Sequence, residues 1–438
     1  MLVNLNIPEA RGDEPLRLTL AYEMFLHHNY IQPTRLGKLY FNKPPLFMWF
    51  ILLSSKIFGW NIIAIRAISI FFTLLTTFLI IFFSYKVLKN LFLGVVAGLS
   101  FITFGDILFY YGYLGEIDAT FTFFVALIMF SLFLGYDRND SKFIILAGLL
   151  TGIAFLFKGF VIYGFYGLTL IALTIYYKRY LEFFSKENII SYLLSIIIPF
   201  VWLIQTADPI NYAKMMLFEV SSRAEGSKNI TKFLPHLISF PLQNIKQTLL
   251  TSALVLVVLI RYKVDVFKYP IKVFLLILFL NYLPYLLFAG GKGIYSVDTR
   301  YVIPLFPLLA VVFAYILIQP KKEWIIKTFF VLAIISILLR FTLGLAVFPK
   351  KEGKTGILEG IAIDIIQQVD KKDKIVCSCG EFKAICFYLE KNLGKIVAYP
   401  EVYSDWKYLV TCTNFNEGKL VKKYKYRGGL IELYEREK

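Results

Sequence analysis

Long apolar runs recur along this chain, and they constrain its fold more than any other feature. Stretches near 62–84, 91–108, 119–136, 143–157, 160–177, 189–206, 238–260, 271–289, 301–319 and 324–348 are dominated by aliphatic and aromatic residues. Spanning a bilayer helically takes about 20 mostly apolar residues. Lipid offers no partner for backbone amides, so such runs must satisfy their own hydrogen bonds as helices. The expected fold is therefore an all-α polytopic membrane bundle. Composition agrees: 58% of the 438 residues are hydrophobic and only 18% are charged. A soluble domain is about 45–50% apolar and about 25% charged.

The formal net charge of +17 does not point to nucleic acid, because the Lys and Arg residues cluster between the apolar runs. Basic connections fall at Lys86/Lys89, Arg138/Lys142, Lys178/Arg179/Lys186, Arg261/Lys263/Lys268 and Lys321/Lys322/Lys327. The positive-inside rule places these loops in the cytoplasm. The alternate connections, 109–118, Lys158-Gly159, 207–237 and 290–300, then face outward, as does the C-terminal region. Segment 44–59 (PPLFMWFILLSSKIFG) is short for a span and reads as an interfacial helix, which leaves 1–43 outside. The opening MLVNLNIPEARGDE lacks signal-peptide features, so a span upstream of it is expected. Three regions result: 1–60 as an external loop with interfacial helices, 61–348 as the membrane bundle, and 350–438 as a small soluble α/β domain.

In that last region, GILEGIAIDIIQQVDKKD and EFKAICFYLEKN have helical periodicity. KIVCSC, KIVAY, WKYLVTCT and LIELYER read as strands. All four cysteines, Cys377, Cys379, Cys386 and Cys412, lie here. A disulfide from the CSC strand to Cys412 and adjacent free thiols are both compatible with the spacing. No His pattern makes them a zinc site.

Outward-facing polar residues are the candidates for chemistry. DEPLRLTLAYEM supplies Asp13, Glu14, Arg17 and Glu23; LYFNKPPLFMW supplies Lys43; YYGYLGEIDATFTFF supplies Glu116 and Asp118. Lys158-Gly159 separates two runs, and KGIYSVDTRYVIP supplies Arg300 and Tyr301. Arg223 lies in the long loop 207–237, which is either a lid or a solvated connection. Carboxylates and cations on one face suit transfer from a phosphate-linked donor: a base for the acceptor, positive charge for the leaving phosphate. Each residue also has a structural reading. Asp118 could cap a helix, Lys158 could snorkel to the interface, and Arg300 with Tyr301 could anchor there. Charges near lipid are costly and usually functional, which favours the set over any single member.

Over residues 10–350 these motifs, in this order, resemble a known family. GDEPLRLTLAYEM, YFNKPPLFMWF followed by Arg66, GEIDATFTFF, GIAFLFKG and DTRYVIPLFP carry the resemblance. The family is the membrane glycosyltransferases that use polyprenyl-phosphate sugars: glycosyltransferase family 39, or the protein O-mannosyltransferase-like superfamily. It has the GT-C fold and includes the lipid A aminoarabinose transferases. The resemblance implies catalytic aspartates at Asp13 and Asp118 and donor-phosphate lysines at Lys43 and Lys158. It implies substrate contacts among Glu14, Arg17, Glu116, Arg223, Arg300 and Tyr301.

Two departures concern a metal. The aminoarabinose transferases have Glu before the Lys-Pro pair, where Asn42 stands here, and His236 is poorly spaced to replace their metal-binding His. A divalent metal is thus left open. The implied function is sugar transfer from a polyprenyl-phosphate carrier to a lipid A-type glycolipid, glycan or protein hydroxyl. It would occur at the outer face of the inner (plasma) membrane. A transporter or flippase of lipid-linked sugars is the alternative, opposed by the one-sided charges and the lack of an internal repeat.

Overall fold

The computed structural model describes residues 2–3, 5–6, 11–222, 230–288, 298–352, 356–380, 384–403, 405–413, 415 and 418–436. Its elements, in order, begin with helix α1 (Glu14–His27), a two-residue hairpin of β1 (Thr34–Arg35) and β2 (Lys38–Leu39), and α2 (Leu46–Phe58). Next come α3 (Ile62–Leu88), α4 (Leu91–Thr103), a π-helical turn (Ile107–Tyr111), α5 (Ile117–Arg138), α6 (Ser141–Lys158) and α7 (Val161–Tyr177). They are followed by α8 (Lys186–Leu203), α9 (Pro209–Ser221), α10 (Ile230–Gln247), α11 (Leu249–Arg261) and α12 (Ile271–Leu287). A 3-10 turn (Thr299–Leu305) leads into α13 (Phe306–Ile318), then α14 (Glu323–Thr342) and α15 (Phe348–Glu352). The chain ends with α16 (Ile357–Gln368), β3 (Ile375–Ser378), α17 (Ala384–Leu393), β4 (Tyr408–Thr411), β5 (Lys419–Tyr426) and β6 (Gly429–Glu435).

The chain packs as two compact units. The first holds 42–44 and 69–343; the second holds 2–41, 45–68 and 344–438.

The first unit is helical and apolar. Among the described residues of the chain, six helices are long and apolar enough to cross a membrane: 62–88, 117–138, 141–158, 186–203, 299–318 and 323–350. α7 and α12, at 17 residues each, sit at the lower end of the spanning range of about 17–25 residues. The multi-pass membrane reading therefore stands. Two expected spans differ in form: 91–108 is the 13-residue α4 followed by the π-helical turn, and 238–260 is two helices, α10 and α11, bent by 101°, a broken span or a re-entrant pair. At the corner, the Thr248 hydroxyl turns back to the Ile245 carbonyl at 3.3 Å and meets Ser252 Oγ at 2.5 Å. A short polar side chain bonding its own backbone is a common cause of helix bending.

Close helix packing follows from small residues. A Cβ on Gly148 of α6 would lie 2.2 Å from the Ser191 carbonyl of α8, so only glycine permits this approach. Ser191 Oγ then reaches the Ile144 carbonyl at 2.8 Å. Buried charge is also satisfied internally. Arg340 of α14 donates to the Leu108 carbonyl at 3.2 Å and lies 4.6 Å from the centroid of the Tyr113 ring.

The second unit contains a four-stranded sheet in the order β3-β4-β6-β5, with β3 and β4 parallel and the other pairs antiparallel. The expected helices and three of the four expected strands are present. KIVAY is not a strand; it contributes one bridge, Val376 to Ala398. β5 (KLVKKYKY) was not expected, because its lysines obscure the alternation. It is an edge strand, where lysines block pairing with other chains. α1 packs on α17 through Tyr22, whose ring meets Phe387 edge-on at 6.1 Å. The Tyr399 amide donates to the Leu36 carbonyl at 2.9 Å, tying the hairpin to the C-terminal region. Two disulfides complete the unit, Cys377–Cys386 and Cys379–Cys412. The second joins the CSC segment to Cys412.

Candidate active site

In the first unit the start of α5 and the end of α6 meet. Glu116 is the N-cap position of α5, so Asp118 is the second helical residue and not the cap. The Asp118 carboxylate is 3% exposed as a residue and accepts from Lys158 Nζ at 2.6 Å. Lys158 ends α6, and Gly159 follows with φ of +66°, a left-handed conformation that glycine adopts without penalty. The break between two apolar runs therefore has a purpose. It stops α6 so that its last side chain, an ammonium, lies against the first turn of α5. The snorkelling alternative is not what is seen: Lys158 is mostly buried and ion-paired.

Aromatic rings and a second cation surround that pair. Lys158 Nζ lies 5.0 Å from the Phe121 ring centroid and 6.0 Å from that of Tyr301, close enough for cation–π attraction. The Arg300 guanidinium lies 5.5 Å from the same Tyr301 ring. Arg300 sits in the electrostatic field of Asp118, Glu116 and Asp298. Asp298 caps the 3-10 turn by accepting from the Arg300 amide at 3.0 Å. Glu116, Asp118, Lys158, Arg300 and Tyr301 thus form one cluster.

Lys43 belongs to the same unit and makes an ion pair with Glu219 of α9. Tyr212 of α9 donates to the Lys43 carbonyl at 2.7 Å. The same helix packs on the other lysine motif: a Cβ on Gly159 would come within 2.8 Å of Met216 Sδ. Tyr212, Met216 and Glu219 are spaced four and three apart, one stripe of α9. That stripe touches both Lys43 and Lys158-Gly159.

The remaining candidates lie in the second unit. Asp13 is the N-cap position of α1, and its Oδ2 lies 3.7 Å from Arg17 Nη2. Arg17 Nη1 donates to the Tyr40 hydroxyl at 3.2 Å. Glu14 is fully buried and receives a forked pair of bonds from Arg66, Nε to Oε1 and Nη2 to Oε2, each 2.8 Å. The Arg11 amide adds a third bond to Glu14 at 2.8 Å. Glu14 therefore holds the chain together at Arg66. Arg223 lies outside the described residues.

The sequence reading missed two groups and set a third, Glu23, among the outward-facing polar residues. Asp106, just before the π-helical turn, has a buried Oδ2 without a hydrogen-bond partner and lies in the field of Asp298 and Asp118. A lone carboxylate inside an apolar run was the available signal. Glu219 gave no local signal. Glu23 reads as a helix-surface residue but is buried: it accepts from Thr34 Oγ1 at 2.6 Å, from the Gly37 amide at 3.2 Å and from the Leu36 amide. Burial raises its pKa, and Glu390 lies beside it.

The residues do not fit a resident metal ion. Among the described residues, no three His, Cys, Asp or Glu side chains group to bind one. Asn42 is a weaker donor than a carboxylate, and His236 Nε2 is engaged with the Tyr285 carbonyl at 2.9 Å.

An apolar bundle with a carboxylate–lysine cluster and a small α/β unit has the architecture of the GT-C fold, and the fold comparison agrees. The crystal structure of ArnT from Cupriavidus metallidurans bound to undecaprenyl phosphate covers 98% of this chain and 94% of that one, with a TM-score of 0.71 at 12% identity. The apo form of the same protein gives a TM-score of 0.69 at 13% identity, covering 97% of this chain and 93% of that one.

Sequence narrows this further: residues 42–207 match the family described as dolichyl-phosphate-mannose-protein mannosyltransferase. An undecaprenyl phosphate-alpha-4-amino-4-deoxy-L-arabinose arabinosyl transferase of Pseudomonas aeruginosa (strain UCBPP-PA14) is 30% identical over 152 residues, 34% of this chain and 28% of the relative. The transferase of the same name from Wigglesworthia glossinidia brevipalpis is 32% identical over 167 residues, 36% of this chain and 29% of the relative. The sequence match thus spans less than a third of these curated relatives. Over these segments the chain is similar to these membrane glycosyltransferases. The family match includes Lys43, Glu116, Asp118 and Lys158.

Proposed function

We propose that this protein is a glycosyltransferase that moves a sugar from a polyprenyl-phosphate carrier to an acceptor hydroxyl on the extracytoplasmic face of the inner (plasma) membrane. The observation that carries the reading is the buried Asp118–Lys158 pair, set between aromatic rings beside Arg300. The donor's prenyl tail lies in lipid and its phosphate near Lys43 and Lys158. Asp118, or Asp13, takes the proton from the acceptor hydroxyl as the new O–C1 bond forms. The C1–O bond to phosphate breaks, its electron pair stays on the phosphate, and the lysines stabilise that charge. Inversion at C1 is the family expectation. Arg300, Tyr301 and Glu116 line the sugar or its acceptor, and the acceptor is a lipid A-type glycolipid, another glycan or a protein hydroxyl. The bundle of 61–348 performs the transfer together with the 1–60 region that carries Asp13 and Lys43, and 350–438 stands outside the membrane. The two disulfides support that placement, since they persist in oxidising compartments.

The test is turnover of a labelled polyprenyl-linked sugar by the detergent-solubilised full chain. Asp118→Asn is expected to lower kcat by about 10²- to 10³-fold, the range for losing a catalytic acid–base or charge-stabilising group. Wild-type turnover in both Asp118→Asn and Asp13→Asn would sink the assignment. Transport that needs a sealed vesicle, with no turnover in detergent, would establish a flippase instead.

A further inference from the structure

The ion pair between Lys43 and Glu219 has no role in the transfer step just described. Lys43 lies next to Pro44, before α2, and Glu219 lies in the last turn of α9, 176 residues later. Both side chains are largely buried, 15% and 25% exposed. A carboxylate on this ammonium has the charge and the hydrogen-bonding face that a donor phosphate brings. The stripe Tyr212, Met216 and Glu219 puts it there by docking α9 on the Lys43 carbonyl and on Gly159. Lys158 is likewise neutralised, by Asp118. A buried lysine without counter-charge loses hydration that nothing replaces, a cost of several kcal/mol per ion in order of magnitude.

We propose that Glu219 is a positioning residue that exchanges with the donor phosphate on Lys43, and so sets donor affinity and product release. This rests on the reading of Lys43 as a phosphate ligand. With the site empty, Glu219 holds the ammonium in place and compensates its charge. An arriving phosphodiester, with one negative charge, takes Lys43 and displaces Glu219. Transfer leaves a polyprenyl phosphate monoester with up to two charges, which would hold Lys43 more tightly than the donor did. The return of Glu219 opposes that and frees the product. The exchange makes and breaks only ionic contacts. Such a competitor weakens binding of every phosphate species, so its removal has a definite sign: binding strengthens.

The experiment measures binding of undecaprenyl phosphate to the full chain in detergent at fixed ionic strength, alongside donor KM and kcat. In Glu219→Gln and in Glu219→Ala the Kd for undecaprenyl phosphate is expected to fall about three- to tenfold, the worth of a partly buried ion pair. Donor KM falls with it, and kcat falls where release limits turnover. A residue that merely orients Lys43 gives the opposite sign, and a Kd unchanged or raised in both variants overturns the exchange. Lys43→Ala separates the two levels. If it leaves the Kd unchanged, Lys43 is no phosphate ligand and the proposal falls with its premise. If it weakens binding in a chain that shows no turnover, the transferase reading fails while the exchange is judged by Glu219 alone.

Discussion

The two units bury charge in opposite ways. In the first, the ion pairs Asp118–Lys158 and Lys43–Glu219 join side chains that keep some exposure. In the second, Glu14–Arg66 is fully buried, forked, and backed by backbone groups: the Leu5 carbonyl accepts from Arg66 at 2.7 Å and the Arg11 amide donates to Glu14 at 2.8 Å. The first kind of pair can open to admit a ligand. The second has every geometric reason to stay closed. Burial of an acidic residue therefore does not by itself distinguish function from scaffolding; how completely its cation is sealed from solvent is the sharper difference. Asp13 and Glu14 are adjacent, yet Asp13 is the N-cap position of α1 with a long contact to Arg17, while Glu14 is locked.

The largest expected effect breaks the locked pair. Arg66→Met leaves the Glu14 carboxylate buried without its cation, at a cost of about 3–5 kcal/mol. Loss of folded protein in size-exclusion chromatography, or a steep fall in apparent Tm, would be the readout. The double variant with Glu14→Gln is expected to recover much of that loss, because two neutral groups need no mutual compensation. By contrast, Asp118→Asn should remove activity with a smaller fall in melting temperature than Arg66→Met, because Lys158 keeps some exposure and Arg66 keeps none. If Asp118→Asn unfolds the protein as Arg66→Met does, the distinction between the two kinds of pair collapses.

The next effect is confined to the second unit. Cys379 and Cys412 close a loop of 33 residues in sequence separation. Replacing both with serine is expected to cost roughly 3–4 kcal/mol of that unit's stability by loop-closure entropy. The Cys377–Cys386 loop, with a separation of 9, is expected to cost less, roughly 2–3 kcal/mol. Protease susceptibility of 356–436, with and without reductant, ranks them. An equal effect of the two would show that loop length is not what governs this unit.

What was legible in the sequence follows from how far each cause reaches. The apolar runs are local, and most became helices at the expected places. The stop at Lys158-Gly159 was legible because glycine and a charge interrupt two runs. The bend inside 238–260 was not, since its apolar pattern continues through Thr248 and the corner depends on a hydroxyl turning inward. β5 was missed because an edge strand takes lysines on its exposed positions, which hides the alternation. Among the charges, sequence located Asp118 and Lys158 but could not pair them across 40 positions, nor Lys43 with Glu219 across 176. Residue type marks which groups are costly to bury. Only the fold shows what compensates each of them.

The smallest expected effect sharpens the comparison inside the second unit, where the buried carboxyls of Glu23 and Glu390 lie side by side. Glu390 of α17 is fully buried beside Glu23, and the Val397 amide donates to its Oε1 at 3.2 Å. Burial, first, and the neighbouring Glu23 carboxylate hold its pKa well above the ordinary 4.5. The folded state therefore keeps a proton that the unfolded state releases. For such a group the unfolded chain binds fewer protons above pH 4.5, so stability declines as pH rises from that value. The unit is expected to be most protected near pH 5 and to loosen toward pH 8. Glu390→Gln keeps the shape and the neutral form at every pH. It should flatten the dependence and raise protection at pH 8, with little change at pH 5. Amide hydrogen exchange in α17 reports this locally, which a single melting temperature of a two-unit membrane protein would not. If the wild type gains protection from pH 5 to pH 8, Glu390 is ionised in the fold, and a compensating partner for it, as Arg66 is for Glu14, must exist.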